Sequence, residues 1–537
     1  MKVTLPLALA ALATTPLLAS PQNDPCEGNA LGDAFLEVSP FRIGGTLDID
    51  MGSPSAPFGL YVISVTSSFG PILHPIFGEI CFDTFAPGYF ILTFVTDAAG
   101  NASQSFPVAN DISLATKPPV FVDGLAVEPL LLPDFSITKT VRLQWSVVDG
   151  FHPAGTMGLP RALHTATSLA EGPADNRTKV LVAGGGGGFL LTPESSATTE
   201  VFDPLTRTFE PGPDMGQERA AHTAVRLKDG RVLICGGADS GGVVTATCEL
   251  YDPDTNTFSA AASMASPRTG HAMTLLPDGR VFVTGGLSNY VDATTDFVAV
   301  LNSVQATTEI YNPLTDTWSA GPLMSSPRGG HRQTVMQDGK VFIVGGINGA
   351  IFGSLGGEFP QFTSSCQLFD PVTNTLTIEP PLPIGRAFHG QSLVGSDGDL
   401  LISGGIVAGG PFGEALATNT CLLYDGINWA GTGSLPITTG FHAQVQLDGG
   451  DAVMQGGLVG DLTQLVATSL AGRHDGITFT PGNEVGQNPA FPGNPAAPRG
   501  NQTMTRLYDG SFLVLGGSSS EDAFTPTTFA DGFLYVD

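Results

Sequence analysis

The stretch that decides the fold is "LKDGRVLICGG" at residues 227–237, an Asp-Gly pair followed by an apolar run and two glycines. Asp-Gly between apolar runs is a strong signal of a two-residue hairpin, because glycine tolerates the positive φ angle that such turns require. Nearly the same phrase returns as "LPDGRVFVTGG" (276–286), "MQDGKVFIVGG" (336–346), "GSDGDLLISGG" (395–405), "LDGGDAVMQGG" (447–457) and "LYDGSFLVLGG" (507–517). Six copies of one hairpin predict a repeat architecture.

Five of the seven units begin with an arginine three residues before a histidine, the other two differ at one of these positions, and successive starts lie 49 to 60 residues apart. The seven pairs are Arg161 and His164, Arg219 and His222, Arg268 and His271, Arg328 and His331, Arg386 and His389, Thr439 and His442, and Arg499 and Gln502. After the double glycine come a loop of varied length, a third strand such as "CELYDP", and a short fourth strand that carries an aromatic residue. Each unit therefore predicts four antiparallel strands.

Four strands in each of seven units, with a glycine pair after the second strand, resemble the Kelch family of β-propellers. The resemblance covers residues 151–537 and extends to the central domain of galactose oxidase. It implies an all-β fold, a seven-bladed propeller in which four-stranded sheets surround a central channel. Helix is expected to be scarce, because no extended apolar stripe has helical spacing.

The seventh unit ends at its third strand, "FLYVD", and has no fourth strand left. A six-residue step from an aromatic to an apolar residue marks the fourth strand of other units, as from Phe258 to Met264. Phe151 and Met157 show the same step ahead of the first unit. We therefore predict that residues 149–157 supply the missing strand and close a propeller that spans residues 149–537.

The amino-terminal part of the chain lacks the repeat. Residues 1–20, "MKVTLPLALAALATTPLLAS", predict a secretory signal peptide, and the protein is then secreted, periplasmic or held at the cell surface. Residues 27–148 alternate apolar and polar positions between turns, which predicts a small β-sandwich domain. The stretch "TDAAGNASQSFPV" (96–108) resembles the immunoglobulin-like modules of bacterial surface proteins.

The charge balance excludes some partners. The chain has 537 residues, with 50 acidic and 22 basic side chains and a formal charge of −28. A protein that tracks phosphates needs clustered Lys and Arg, which this chain lacks, so nucleic acid is not an expected partner. An anionic membrane surface is disfavoured for the same reason, and no segment after the signal peptide predicts membrane insertion.

Six cysteines in an exported chain predict disulfides. Cys26 and Cys81 precede residue 150 and form one expected pair. Cys235 and Cys248 flank a single loop and form another, provided that their Cα atoms lie within about 6.8 Å. The remaining two hold one repeat position in adjacent units, which is too far apart to bridge, and we expect buried free thiols there: Cys366 and Cys421.

The repeated histidines and arginines admit two interpretations each. The histidines could form a metal ring, but equivalent positions in different blades have no reason to converge on one ion, so hydrogen bonding near the axis is favoured. The arginines could form a basic rim for acidic ligands. Alternatively each guanidinium binds backbone carbonyls or a carboxylate such as Glu200, Glu249 or Glu309, and recurrence with the fold favours this alternative.

The units differ most in the loops between their second and third strands. Those of the third and fourth units have 21 and 19 residues, at 287–307 and 347–365. Adaptable loops with aromatic and acidic side chains suit the capture of a sugar or peptide. The candidate ligand-binding residues are Tyr290, Asp292, Asp296, Phe297, Phe352, Glu358, Phe359 and Phe362. The other interpretation is that long loops only cover one another.

Three functions remain open at this point, because propellers host many activities. The first is an exported, non-catalytic protein that binds a glycan, a peptide or a surface partner through its long loops, with no cofactor and no metal. The second is a carbohydrate-active enzyme. A galactose-oxidase-like copper site needs tyrosines, but Tyr251, Tyr311 and Tyr424 are used in repeat positions, whereas a mutarotase- or epimerase-like site could use Glu358 or Glu414 with an arginine. The third is a structural module of a cell envelope.

Overall fold

The structure is a computed structural model. It describes residues 35–38, 46–52, 60–66, 69–74, 78–82, 90–95, 101–107, 120–127, 135–137, 141–143, 150–170, 178–189, 192–193, 195–204, 206–290, 297–352, 358–409, 414–447, 449–461, 464–468, 470–481, 498–507, 510–519 and 527–536. The chain divides into two compact units, Met1–Val148 and Asp149–Asp537. The predicted signal peptide and Cys26 lie outside the described residues.

Unit 1 is described as ten strands. They are β1 (Phe35–Val38), β2 (Thr46–Gly52), β3 (Leu60–Thr66), β4 (Phe69–His74), β5 (Gly78–Phe82), β6 (Phe90–Val95), β7 (Asn101–Pro107), β8 (Val120–Val127), β9 (Phe135–Ile137) and β10 (Val141–Leu143). They form a sheet β1-β2-β7, a second sheet β10-β8-β3-β6 with β9 beside β8, and a hairpin β4-β5, all antiparallel. The sandwich packing of these sheets stays a prediction.

Unit 2 is described as 39 strands and one short helix. The first part has β11 (Gly150–Thr156), β12 (Thr165–Ser168), β13 (Val180–Ala183), β14 (Gly188–Phe189), β15 (Thr192–Pro193), β16 (Thr199–Asp203), β17 (Thr208–Pro211), β18 (Thr223–Arg226), β19 (Val232–Cys235), β20 (Cys248–Asp252), β21 (Thr257–Ala261), β22 (Ala272–Leu275), β23 (Val281–Thr284), α1 (Phe297–Leu301), β24 (Thr308–Asn312) and β25 (Thr317–Ala320). Next come β26 (Arg332–Val335), β27 (Val341–Val344), β28 (Ile347–Phe352), β29 (Glu358–Phe362), β30 (Cys366–Asp370), β31 (Thr375–Glu379), β32 (Arg386–Ala387), β33 (Gly390–Val394), β34 (Asp399–Ser403), β35 (Ile406–Ala408), β36 (Ala415–Ala417), β37 (Cys421–Tyr424) and β38 (Trp429–Thr432). The last are β39 (Ala443–Gln446), β40 (Ala452–Gln455), β41 (Leu458–Asp461), β42 (Gln464–Ala467), β43 (Ala471–His474), β44 (Phe479–Pro481), β45 (Thr503–Arg506), β46 (Phe512–Leu515), β47 (Ser518–Ser519), β48 (Thr527–Thr528) and β49 (Asp531–Val536).

Seven four-stranded antiparallel sheets follow one another through the described part of unit 2. We call them blades 1 to 7: β12-β13-β16-β17, β18-β19-β20-β21, β22-β23-β24-β25, β26-β27-β30-β31, β33-β34-β37-β38, β39-β40-β43-β44 and β45-β46-β49-β11. The second strand of a blade is apolar because neighbouring sheets cover both of its faces. In β19, β23 and β27 all four residues are buried.

The first strands of the blades form a closed ring. Each of β12, β18, β22, β26, β33 and β39 contacts the first strand of the next blade, and β45 contacts β12. Backbone hydrogen bonds run around the same ring at the residue before each repeat histidine. Ala221 N–H donates to the Leu163 carbonyl at 2.9 Å, and the relation repeats from blade to blade as far as Asn501, which donates to Phe441 at 3.2 Å. The ring leaves a channel along its axis.

The segment ahead of the first repeat completes blade 7. Strand β11 pairs with β49 in a register that sets Phe151 opposite Tyr535. Met157 is buried, and its backbone N–H donates to the Ala530 carbonyl at 2.7 Å. Met157 shares an apolar cluster with Val180 of blade 1 and Leu513 of blade 7, so the beginning and the end of the ring pack on one another.

The long connections form a second layer on one face of the ring, which we call the loop layer. Helix α1 packs on the hairpin β28-β29, and a five-stranded sheet β32-β35-β36-β41-β42 spans the connections of blades 5 and 6. Helix α1 has five residues. Among the described residues, no helix is long and apolar enough to cross a bilayer. Strand alternation places both the second-to-third connections and the blade-to-blade connections on this face.

Candidate functional site

The repeat arginines are buried inside the blades. Arg268 illustrates their contacts. Its Nη1 donates to the Gly285 carbonyl at 2.7 Å and to the Thr307 carbonyl at 3.1 Å, and its Nη2 donates to Glu309 at 2.8 Å. Its guanidinium thus connects the end of the second strand to the third strand of its own blade. The structure agrees with the interpretation that these arginines bind carbonyls and carboxylates, and not with a basic rim. The six buried arginines are Arg161, Arg219, Arg268, Arg328, Arg386 and Arg499.

The counter-ion of the buried arginine varies around the ring. Blades 1 to 3 use the glutamates named above, with Nη2–Oε1 distances of 3.1, 2.8 and 2.8 Å. In blade 4 the carboxylate is replaced by Gln367, and in blade 5 Arg386 has the Thr420 hydroxyl and carbonyls as its partners. Burial lowers the pKa of Arg328 and of Arg386 to about 10. In blade 6 the arginine itself is absent, and Thr439 and Gly472 hold the two positions.

We expect Glu309→Ala to cost about 3–5 kcal/mol of unfolding free energy, because it leaves the buried Arg268 without its counter-ion. Glu309→Gln is expected to cost at most about 1–2 kcal/mol, since Gln367 accepts from Arg328 and from the Ser325 amide in blade 4. Urea denaturation of both variants measures the difference. Equal losses for the two substitutions would show that Arg268 requires the negative charge of Glu309 and that an amide acceptor cannot replace it.

The repeat histidines link each blade to the one before it. His222 Nε2 lies 3.0 Å from the Thr165 hydroxyl, His271 Nε2 lies 2.6 Å from Thr223, and His164 Nε2 closes the ring 2.9 Å from Thr503. These histidines are buried, and their rings pack on the first glycine of the preceding double glycine. A Cβ added at Gly236 would lie 2.7 Å from His271 Cε1, so side chains are excluded there.

Hydrogen-bond partners determine the tautomer of the histidines. The Thr284 hydroxyl donates its one proton to Gln333 Oε1 at 2.7 Å, so His331 Nε2, which is 2.7 Å from the same oxygen, must donate to it. The Gln333 amide orientation is set in turn by its donation to the Phe282 carbonyl. The same logic makes Nε2 of His442 a donor to Ser403, which itself donates to Gln444.

These histidines are neutral in the folded protein. Burial lowers the pKa of His164, His271 and His442 from the ordinary value of 6.5 to about 3, and the charge of a repeat or neighbouring arginine acts in the same direction. Each Nε2 is engaged by a protein partner, so the ring does not present nitrogens to one ion. Among the described residues, no group of three or more His, Cys, Asp or Glu side chains could hold a metal ion.

Two phenylalanines directly precede repeat histidines and belong to the ring of backbone hydrogen bonds. The residue before each repeat histidine has a positive φ angle, including Phe388 at 53° and Phe441 at 57°. Positive φ is uncommon for bulky side chains and persists only where the surroundings enforce it. Here the ring of backbone hydrogen bonds enforces it, and the two phenyl rings stack with centroids 4.1 Å apart. Sequence reasoning missed these two residues, although both precede a repeat histidine.

The predicted ligand-binding residues fall into different environments. Tyr290 is half-buried, and desolvation raises its pKa. Phe359 is half-buried and Gln361 is exposed on β29, whereas Phe362 packs on two apolar clusters of the loop layer together with Phe388. Phe297 begins α1, and Phe352 and Glu358 are cross-strand partners in the hairpin β28-β29. Asp292 and Asp296 lie outside the described residues.

A disulfide joins Cys235 at the end of β19 to Cys248 at the start of β20, with the Cα atoms 4.2 Å apart. Cys366 and Cys421 are free and buried. Burial raises the pKa of Cys366 to about 12 and that of Cys421 to about 11, so neither thiol is poised as a nucleophile. The expected pair of Cys26 with Cys81 falls outside the described side chains.

The Kelch motif matches residues 176–216 and 219–265, which are the strands of blades 1 and 2 from β13 to β21 and their connections. These two Kelch motifs, together with the seven four-stranded sheets, indicate a β-propeller. No curated protein sequence matches this chain. Among the similar solved structures is that of YjhT, which has 16% identity and a TM-score of 0.45 and covers 61% of this chain and 99% of its own. Another is that of a novel fungal alcohol oxidase with catalytic diversity among the AA5 family, in complex with copper. It has 15% identity and a TM-score of 0.51, and it covers 72% of this chain and 75% of its own.

The similarity to these structures concerns the fold of the propeller. The fungal oxidase, with a TM-score of 0.51, shows the fold alone and carries no activity across, because its identity is 15%. Glu414, the second glutamate considered for sugar chemistry, immediately precedes β36 in the loop layer and is half-buried. The ionisable residues that recur in the propeller are used to hold its blades together, so any function is carried by residues that do not recur.

Proposed function

We propose that this propeller is an exported, non-catalytic binding protein that engages a glycan or an extended peptide through its loop layer. The observation that carries the proposal is the distribution of the layer around the ring. The connections of blades 3 to 6 form α1, the hairpin β28-β29 and the five-stranded loop sheet, whereas blade 2 closes its connection with the single bridge between Ala238 and Val244. The connections of blades 1 and 7 form only the short hairpins β14-β15 and β47-β48, so the larger structures are concentrated at blades 3 to 6.

The hairpin β28-β29 supplies a surface of suitable chemistry. Side chains alternate across a strand, so Phe359 and Gln361 share one face, and Pro360 and Phe362 share the other. Pro360 is buried and Phe362 packs into the layer, whereas Gln361 is exposed and Phe359 is half-buried. An aromatic ring beside an amide is a common platform for a sugar ring or a peptide backbone, since it combines stacking with hydrogen bonding.

Two further features support binding over catalysis. The recurring histidines are neutral and engaged between blades, and the recurring arginines are buried against carbonyls and carboxylates. The packing of Phe362 also means that part of the loop layer does cover itself, as the second interpretation of the loops predicted. The proposed surface is accordingly limited to the outward face of the hairpin.

The test is binding of purified protein to glycan and peptide arrays. We expect Phe359→Ala combined with Gln361→Ala to weaken binding at least tenfold with an unchanged melting temperature. The matched control is Leu314→Ser, which changes an exposed apolar residue in a turn between third and fourth strands, on the opposite face. The proposal is wrong if the wild type binds neither array, or if the control and the double variant lose affinity equally.

A further inference from the structure

Arg332 is an arginine that the fold does not pair. It is the first residue of β26, and its side chain is exposed. Its Nε donates to the His389 carbonyl at 3.0 Å. Among the described residues, Nη1 and Nη2 have no hydrogen-bond partner, and no carboxylate forms an ion pair with the guanidinium. In this respect Arg332 differs from Arg268, whose N–H groups are directed at carbonyls, a hydroxyl and Glu309.

The guanidinium lies inside the ring of blades. Strand β26 is the first strand of its blade and borders the channel. The Arg332 side chain reaches the backbone of the adjacent blade 5. The charge of Arg332 lowers the pKa of His331, His389 and His442, which belong to three successive blades. Desolvation also lowers the pKa of Arg332 itself. The side chain is exposed although β26 lies on the inner side of the ring of blades, so it faces the channel.

The equivalent positions in the other blades are small, which leaves room around the guanidinium. Each is the first residue of a first strand: Thr165, Thr223, Ala272, Gly390, Ala443 and Thr503. The three threonines belong to blades 1, 2 and 7, which lie across the ring from blade 4. Their hydroxyl oxygens contact repeat histidines.

The charge of the channel wall is opposite to that of the protein. The seven first strands contain no Asp or Glu, although the whole chain has 50 acidic residues. They contain three arginines, of which Arg226 and Arg506 end β18 and β45 at the other mouth of the channel. A low-dielectric channel of one charge sign focuses the field and raises the local concentration of the opposite charge.

We propose that the loop-face end of the channel binds a small oxyanion, a carboxylate or a phosphate group, through the two Nη atoms of Arg332. With Nε engaged by His389, the two Nη atoms form the planar fork that matches two oxygens of such a group. The site is separate from the outward face of the hairpin β28-β29, so the test of either proposal can fail while the other proposal stands.

The test is calorimetric titration and thermal melting with citrate and with inorganic phosphate, at matched ionic strength against sodium chloride. Wild-type protein is expected to bind one of the two probes and to melt at a higher temperature in its presence; the tighter probe distinguishes a carboxylate from a phosphate ligand. Arg332→Gln is expected to weaken that binding at least tenfold. The matched control is Arg231→Gln, which removes the same charge from an exposed hairpin pair with Asp229.

A second variant tests the site if Arg332→Gln folds poorly. Arg332→Lys keeps the charge but cannot form the fork, and it is expected to bind at least tenfold more weakly than wild type. Equal binding by wild type and either Arg332 variant overturns the assignment. So does an equal loss in Arg231→Gln, or a wild type that neither citrate nor phosphate stabilises beyond chloride.

Discussion

Deleting residues 149–157 is expected to abolish the cooperative melting of unit 2 or to lower its melting temperature by more than ten degrees, on the order expected for losing several kcal/mol. The deletion removes β11, which pairs with β49 along its length, and it removes the buried Ala154 and Met157. It also exposes β49 as an unpaired edge with apolar neighbours, which favours aggregation. Calorimetry and light scattering of the purified protein measure both effects.

A point substitution makes the same test without shortening the chain. Met157→Ala is expected to cost about 2–5 kcal/mol, the usual range for truncating a buried methionine. Met264→Ala is the matched control, because Met264 holds the equivalent position between blades 2 and 3 and is 4% exposed, compared with 3% for Met157. The two losses should agree within about 1 kcal/mol. If Met264→Ala destabilises the protein and Met157→Ala does not, residues 149–157 are not part of the ring.

Acidification is expected to destabilise the propeller steeply between pH 6.5 and pH 3. In the unfolded chain each repeat histidine binds a proton below its ordinary pKa of 6.5, whereas in the folded protein His164, His271 and His442 do so only near pH 3. The unfolded state therefore holds more protons in this window, so stability is complete above pH 6.5 and is lost as the pH falls. Each such histidine contributes about 1.4 kcal/mol per pH unit well below pH 6.5.

His271→Gln isolates one histidine from this effect. The chain itself shows that glutamine fits, because Gln502 holds the equivalent position and donates to the Gln455 carbonyl of the preceding blade. We expect a melting temperature close to wild type at pH 7 and a smaller decrease between pH 7 and pH 5. Thr223→Val is the control, since it removes the hydroxyl partner but leaves the titrating group. Identical pH profiles for His271→Gln and wild type would show that His271 does not contribute to the loss of stability on acidification.

The repeat made much of this architecture predictable. Asp-Gly turns, double glycines and alternating runs are local signals, and their recurrence identified the four strands of each blade and the Kelch fold. The buried arginine was predictable for the same reason, because the glutamate at a constant distance along the chain, such as Glu309 for Arg268, belongs to the same blade. Recurrence reveals interactions within one blade, since every copy preserves the same local spacing.

The candidate sites were less predictable, because they depend on residues that occur once and on neighbours distant in sequence. Phe362 was expected to face a ligand, and the structure shows it half-buried on an apolar cluster that includes Phe441 from a later blade. Arg332 was not considered in the sequence at all, because it directly follows a repeat histidine and looks like an ordinary strand residue. A signal was present: six of the seven equivalent residues are small and uncharged, and one is arginine.

The amino-acid sequence by itself determined the all-β character, the strand order within each blade and the arginine–glutamate pairs, because these follow from short-range patterns that repeat. Only the tertiary structure decided which loops pack on one another, which nitrogen of His331 and of His442 carries the proton, and that Arg332 faces the channel with no carboxylate partner among the described residues. The physical reason is that these properties arise where different blades meet. The position of one blade against the next is set by closure of the whole ring, and no local pattern encodes it.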